Sequence, residues 1–368
     1  MNELLPLLSR ARELADTRSP AVLGTVVEVE GSAYRREGAR ILVEPAGRLT
    51  GVVSGGCLER DVAAHAADVL ATRAPRLITY DLRSPDEALW GLGLGCGGTI
   101  TLLLEPLDTG SPESSPLGVF ERLVADRRAA DLVTKFRTRG PDGERVVVEN
   151  TAVFATAPCS FETPVAPRSV DVSAPSGSTS YLVERLLPPA RLLICGAERD
   201  APSLARLARE LSWEVIVADP KASAERDARF DGGVRILPGR PDAVARGLTL
   251  DGRTVAVVMT HSYLDDVEFV AALWSAPLPY LGLLGPPARR DRLIADLAMQ
   301  GLQLETAALA RLRAPAGLAL GGRSPEVVAL AILAEAQAVL AGASARPLGA
   351  PSSSLATPLD SALETLAP

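Results

Sequence analysis

The chain predicts an α/β protein of two modules, an N-terminal α+β domain followed by a Rossmann-like, doubly wound parallel-sheet domain. Three observations carry that expectation. Its 368 residues are more than one hydrophobic core organises and enough for two. The first part mixes hairpin signals with helices. From Arg191 onward, short apolar runs alternate with helix-period segments, as in βα units whose parallel strands are buried on both faces.

The expected boundaries are 1–150 for the first domain, 151–188 for a connector, 189–342 for the Rossmann-like domain and 343–368 for a disordered tail. The connector is read from Pro, Ser, Thr and Ala without sustained period between 155 and 180, and the tail from APSSSLATP. Within the first domain, Leu4, Leu5, Leu8, Ala11, Leu14 and Ala15 recur at helical spacing, and Ser19-Pro20 ends that helix. AVLGTVVEVE follows as a strand. ARILVEP and RLTGVVS flank Ala46-Gly47 as a hairpin, and DVAAHAADVL is an alanine-rich helix that starts near Cys57. RLITYDL and TITLLLEPL are strands, and a helix over 117–129 precedes the strand-like LVTKF and RVVVEN. In the second domain RLLICGA, EVIVAD, TVAVVMTH and YLGLLG read as strands. APSLARLAREL, DDVEFVAALW and VVALAILAEAQAVL read as helices, and no internal repeat is visible.

Composition excludes several function classes. Net charge is −7, only Lys135 and Lys221 are lysines, and no Lys/Arg run is dense enough to follow a nucleic-acid backbone. No stretch approaches the ~18 unbroken apolar residues of a membrane span, and the N-terminal segment lacks the basic-then-apolar order of a secretion signal, so a cytoplasmic location is expected. Cys57, Cys96, Cys159 and Cys195 are widely spaced, with two His and no CxxC, which favours reduced thiols over disulfides or structural zinc. Neither a Ser-His-Asp arrangement nor a Walker loop is present.

Three glycine-rich stretches carry the candidate chemistry. In GSAYRREGA, Gly31, Ser32 and Gly38 allow close backbone approach, while Arg35 and Arg36 present planar donor forks suited to phosphate; a solvated surface loop is the plain alternative. SGGCLE, with Ser54, Gly55, Gly56, Cys57 and Glu59, ends a strand and opens a helix. A thiol there has its pKa lowered, so Cys57 is a candidate nucleophile, sulfur carrier or soft-metal ligand, or else a small buried cysteine after a glycine turn. In GLGLGCGG, Gly95, Cys96, Gly97 and Gly98 lie in a run too glycine-rich for strand or helix, which points to unusual backbone geometry or a ligand lying on it.

The second domain places Gly196 in the turn after its first strand and Asp219 at the end of the next, as in dinucleotide folds. A GxGxxG turn would need glycine at 198 and 201, where Glu198 and Ala201 stand. Glu198 repeats the charge of a pyrophosphate, which argues against NAD(P). His261 lies at the carboxyl end of a strand, as a ligand contact or a hydrogen-bonded structural residue. Cys195 is read as core, and Cys159 is assigned no role.

Taken together, GSAYRREGARILV, RLTGVVSGGCLE, DEALWGLGLGCGG, RLLICGA, VVMTHSYLDD, YLGLLG and APAGLALGGRSPEVVALAILAE resemble the XdhC/CoxI family of accessory proteins for molybdenum hydroxylases such as xanthine dehydrogenase. The resemblance implies a chaperone that binds molybdenum cofactor, as molybdopterin or a dinucleotide form. It would support sulfuration of the cofactor with a cysteine desulfurase and insert it into the hydroxylase subunit. Homodimer formation is also implied. In that setting Arg35, Arg36 and the glycine amides suit the phosphate, and Cys57 or Cys96 faces molybdenum or holds sulfur. Two positions depart from the family pattern: Tyr34 replaces the usual Pro, and Glu198 replaces the second glycine of the GAG turn. Two other readings stand beside this one, an NAD(P)-dependent oxidoreductase and a non-catalytic scaffold subunit of a hydroxylase complex.

Overall fold

A computed structural model describes residues 4–83, 97–107, 115–223 and 227–348. The described residues form three sheets. After α1 (Leu4–Asp16), the first sheet is built from β1 (Ala21–Glu30), β2 (Arg40–Val43), β3 (Leu49–Gly51), β4 (Arg76–Asp81) and β5 (Thr99–Leu107), with α2 (Glu59–Thr72) between β3 and β4. Its order is β3-β2-β1-β5-β4 with every neighbour antiparallel. β1 is buried over its first seven residues because both faces are covered. Val22, Ile41 and Leu102 meet Val62 and Ala66 of α2 on one side. Leu23 and Leu42 meet α1 and α3 (Pro116–Asp126) on the other, through Leu8 and Phe120.

The second sheet is antiparallel, in the order β7-β6-β9-β8, from β6 (Ala130–Gly140), β7 (Gly143–Phe154), β8 (Arg168–Ala174) and β9 (Gly177–Leu186). The expectation of a connector over 151–188 is therefore corrected. That segment finishes β7 and contributes a whole hairpin, and its longest irregular stretch is 155–167. The strand period is masked because the inward positions of β9 are Ser180, Leu182, Glu184 and Leu186, and two of these four are polar.

The third sheet is parallel, in the order β12-β11-β10-β13-β14-β15. Its strands are β10 (Arg191–Cys195), β11 (Glu214–Asp219), β12 (Arg235–Pro238), β13 (Thr254–Val258), β14 (Tyr280–Leu283) and β15 (Leu312–Arg313). Strand order reverses between β10 and β13, the doubly wound arrangement the alternating pattern predicts. Among the described residues six helices cover the two faces: α4 (Ala201–Glu210), α5 (Pro241–Gly247), α6 (Tyr263–Leu273), α7 (Pro287–Met299), α8 (Thr306–Arg311) and α9 (Pro325–Ala341). α4 and α9 bury Leu204 and Ile332 against Leu192, Val217 and Val257. α6 and α7 bury Phe269 and Leu293 against Leu193, Ala256 and Leu281. Of the expected tail, residues 349–368 lie outside the described residues, and α9 closes on Gly342 in the left-handed region at φ 62°.

A buried ionic hub joins the Rossmann-like domain to the rest. Arg127, at the left-handed end of α3, donates from Nε and Nη2 to Asp251 at 2.6 and 3.1 Å and from Nη2 to the Pro189 carbonyl at 3.2 Å. Its Nη1 reaches Glu214 at 3.2 Å, and Glu214 also receives both prongs of Arg191 at 2.9 and 3.0 Å.

Candidate functional site

Two of the three glycine-rich stretches meet through their backbones at the end of β1. Gly31 takes φ 74°, and a Cβ there would stand 2.9 Å from the Gly97 carbonyl oxygen. A Cβ on Gly98 would stand 2.3 Å from the Glu30 carbonyl oxygen and 2.7 Å from that of Ser32. Only glycine permits this approach. Arg36 folds back to donate to the Gly31 carbonyl at 3.3 Å, bracing the loop, and Gly38 at φ 80° returns the chain to β1 through its N–H to Val26 at 2.9 Å. The SGGCLE turn adjoins the same loop, since the Tyr34 ring lies 4.0 Å from where a Gly55 Cβ would be. Gly31, Ser32, Gly55, Gly97 and Gly98 thus converge, whereas Gly95 and Cys96 lie outside the described residues.

The start of α2 differs from the open anion site its sequence suggests. Amides of Gly56, Cys57 and Leu58 all donate to Ser54 Oγ at 3.1 Å, and the Ser54 hydroxyl in turn donates to Glu59, which also accepts the Ser54 N–H at 3.0 Å. Ser54 therefore occupies the donors that a thiolate or phosphate would otherwise use. Cys57 is half-buried against the cluster that includes Val53, Leu58 and Val62. The other described thiols are sealed. Burial lifts Cys159 to about 11, helped by Glu162 and Asp251, and raises Cys195 further inside β10.

A cavity of about 700 Å³ opens beside the loop. One wall is Tyr34, Arg35 and Arg36, and a second is the irregular segment 164–167. A third comes from the Rossmann-like domain, through Arg253 ahead of β13 and Gln337 on α9. Its floor holds the buried pair of Arg40 and Glu184, bidentate at 2.9 and 2.5 Å, with Arg40 also donating to the Gly38 carbonyl at 2.9 Å. In all, five arginines and two glutamates line the cavity of a chain whose net charge is −7. Sequence reasoning missed Arg40, Glu184 and Arg253; the available signal was a charged residue at an inward strand position, as at 184 in β9.

Gly196, Asp219 and His261 sit elsewhere, at the carboxyl edge of the parallel sheet, and none lines the cavity. Gly196, at φ 105°, is explained by packing: a Cβ would stand 2.8 Å from Thr260 Cα. Thr260 is fixed by Asp266, which Arg289 Nε holds at 2.8 Å. Asp219 is buried and accepts the Lys221 N–H at 3.0 Å, while Lys221 Nζ pairs with Asp265 at 2.9 Å from β11's loop to α6's first turn. Because β11 and α6's parent strand β13 flank β10, this pair spans the place a dinucleotide would enter. His261 is exposed, at φ 58°.

Comparison with known proteins finds a match in each half of the chain. A family profile described as the XdhC Rossmann domain matches residues 192–336, and one described as the XdhC and CoxI family matches residues 14–81. The chain belongs to the XdhC and CoxI family. The N-terminal match spans β1 to β4 with the GSAYRREGA and SGGCLE stretches, and the C-terminal match spans the parallel sheet. A Bacillus subtilis protein described as a probable subunit of xanthine dehydrogenase is 29% identical over 324 residues, covering 88% of this chain and 94% of its own. A molybdenum cofactor insertion chaperone, PaoD of Escherichia coli, is 27% identical over 319 residues, covering 87% of this chain and 83% of its own. A crystal structure described as a xanthine dehydrogenase from Bacillus halodurans superposes with a TM-score of 0.68 at 26% identity, covering 94% of this chain and 98% of its own. No helix among the described residues of this XdhC/CoxI protein is long and apolar enough to cross a membrane.

Proposed function

We propose that the protein is a maturation chaperone that binds molybdenum cofactor and passes it to a molybdenum hydroxylase of the xanthine dehydrogenase type. The observation that carries the reading is the arginine-lined cavity beside the converged glycine loops, in a chain related to a named cofactor-insertion chaperone. The residues fit the group: Gly31 and Gly98 leave backbone where a Cβ would collide, and Arg35 and Arg36 present cationic forks to a phosphate. When bound, the cofactor supplies a soft, easily oxidised metal centre on an anionic pterin. This chain's part is to hold and cover it. Arg35 and Arg36 orient the phosphate, Tyr34 covers the loop, and Cys57, with Cys96 in the adjoining stretch, offers a thiol for the metal or for sulfur. The expected partners are a cysteine desulfurase and the apo-hydroxylase, met in the cytoplasm by a homodimer. Glu198, standing where a dinucleotide turn has its second glycine, weighs against an NAD(P)-dependent oxidoreductase, because its carboxylate repeats the charge of a pyrophosphate.

The test is expression in a molybdenum-replete host followed by assay of co-purified molybdopterin in wild type and in Cys57→Ala, Cys96→Ala and Arg36→Gln. Wild type should carry cofactor and Arg36→Gln much less. An empty wild type in cells whose cofactor supply is verified would overturn the chaperone reading and favour the scaffold reading. Normal loading and transfer in the double cysteine variant would remove the thiols from the mechanism.

A further inference from the structure

The amino edge of the Rossmann-like sheet, opposite to the edge where such folds ordinarily hold ligands, contributes a buried cation to the cavity. Arg253 precedes β13 and His261 follows it, so five residues of strand, roughly 16 Å, separate the two edges. Arg253 is 5% exposed, and its Nε and Nη1 meet only the carbonyls of Pro188 and Leu340, at 3.3 and 3.5 Å. Among the described residues no carboxylate pairs with its guanidinium. The adjacent Asp251 gives both oxygens to Arg127 and accepts the backbone N–H of Arg253, not its side chain. Burial works against the charge of Arg253. A guanidinium has five donors, and a buried one without an anionic partner is costly.

The rest of the lining sharpens the imbalance. Glu184 is neutralised by Arg40 in a two-pronged pair, and Arg185 is taken up by Asp131 and Glu162. Arg36, across the cavity, meets the Gly31 carbonyl and no carboxylate among the described residues. Two guanidiniums from different domains therefore face one space with carbonyl partners only, beside an apolar wall of Leu4, Leu7 and Leu186. We infer that this cavity is an anion site in which Arg253 of the Rossmann-like domain and Arg36 of the N-terminal domain grip the phosphate or diphosphate group of a small ligand between them. The parallel sheet then acts as a clamp from its amino edge, and its crevice takes no nucleotide part. This assignment goes beyond the cofactor reading and does not depend on which phosphate-bearing molecule is the natural ligand.

The test titrates the full-length protein with inorganic pyrophosphate and, separately, orthophosphate by calorimetry at low ionic strength. Wild type should bind pyrophosphate, with affinity falling as salt is raised. Arg253→Gln and Gln337→Glu should each weaken binding about ten- to hundredfold, the worth of a charge-assisted contact. Gln337 is exposed on the cavity wall, so its variant reports on the site even if Arg253→Gln fails to fold. Lys221→Gln, at the opposite edge, should leave binding unchanged. Absence of binding in wild type, insensitivity to both cavity variants, or loss of binding in Lys221→Gln would each overturn the assignment. Molybdopterin co-purification separates the two proposals. Cofactor retained while pyrophosphate ignores the cavity variants defeats this inference alone; pyrophosphate held as expected by a chain that never carries molybdopterin defeats the cofactor reading alone.

Discussion

Replacing Arg127 by methionine removes the hub that holds the Rossmann-like domain against the N-terminal half. Arg127 is 2% exposed and Asp251 fully buried, so the variant leaves a carboxylate in the interior with only the Thr254 hydroxyl at 2.7 Å and the Arg253 N–H at 3.1 Å as donors. Glu214 fares better, since it is partly exposed and keeps both prongs of Arg191. The cost is therefore set by Asp251, and breaking one side of a buried pair is worth about 3–5 kcal/mol. For a domain of this size, each kcal/mol moves the melting temperature by roughly 2–4 °C, so the transition should fall by about 6–20 °C. Buried Trp213 abuts Glu214 in sequence and supplies the fluorescence signal for urea and thermal unfolding. Asp251→Asn in the same chain should recover a large part of the loss, because the uncompensated charge is then gone. If Arg127→Met alone costs under about 1 kcal/mol, the range of exposed pairs, the hub is not what joins the domains.

Other perturbations probe the layers above it. Glu105 Oε1 is buried without a partner, and burial lifts its carboxyl from 4.5 to about 7 against the pull of Arg40. Between pH 4.5 and 7 only the folded chain keeps that proton, so stability should fall as pH rises across this window and level off above it. Melting curves of Glu105→Gln at pH 5 and pH 8 should lack that component; a variant that tracks wild type at both values would contradict it. Gly98→Ala forces a methyl against two backbone oxygens and should cost about 1–3 kcal/mol while lowering molybdopterin recovery, and unchanged recovery would detach the glycine contact from the site. Ser54→Ala orphans three amides at the head of α2 and should cost about 1–2 kcal/mol in chemical denaturation, with helix content otherwise kept.

β1 and β5 are legible to the residue, because strands covered on both faces read as largely apolar runs, here preceded by Pro20 and by Gly98. The four inner strands of the parallel sheet, β10, β11, β13 and β14, are legible for the same reason. β8 and β9 are not, since Ser180 and Glu184 occupy inward positions and break the alternation that marks a half-buried strand. Short elements such as β12, α5 and β15 are fixed by tertiary pairing, which a local window does not contain. At the site, the clustering of glycine and arginine is visible in the sequence, whereas the role of Ser54 as amide acceptor and the contribution of Arg253 depend on contacts that only the folded chain creates.

The sequence separation of these contacts has a consequence for assembly. The cavity floor joins residues 144 positions apart, Arg40 and Glu184, and a further wall waits for Arg253 and Gln337. Contacts of such sequence separation close late, after local helices and hairpins have formed. A nascent chain emerging from its N-terminus therefore presents the glycine loops long before it can enclose anything in them. If the proposed grip holds, capture of a ligand is confined to chains whose second domain has been made and docked, and truncated products carry the loops without it.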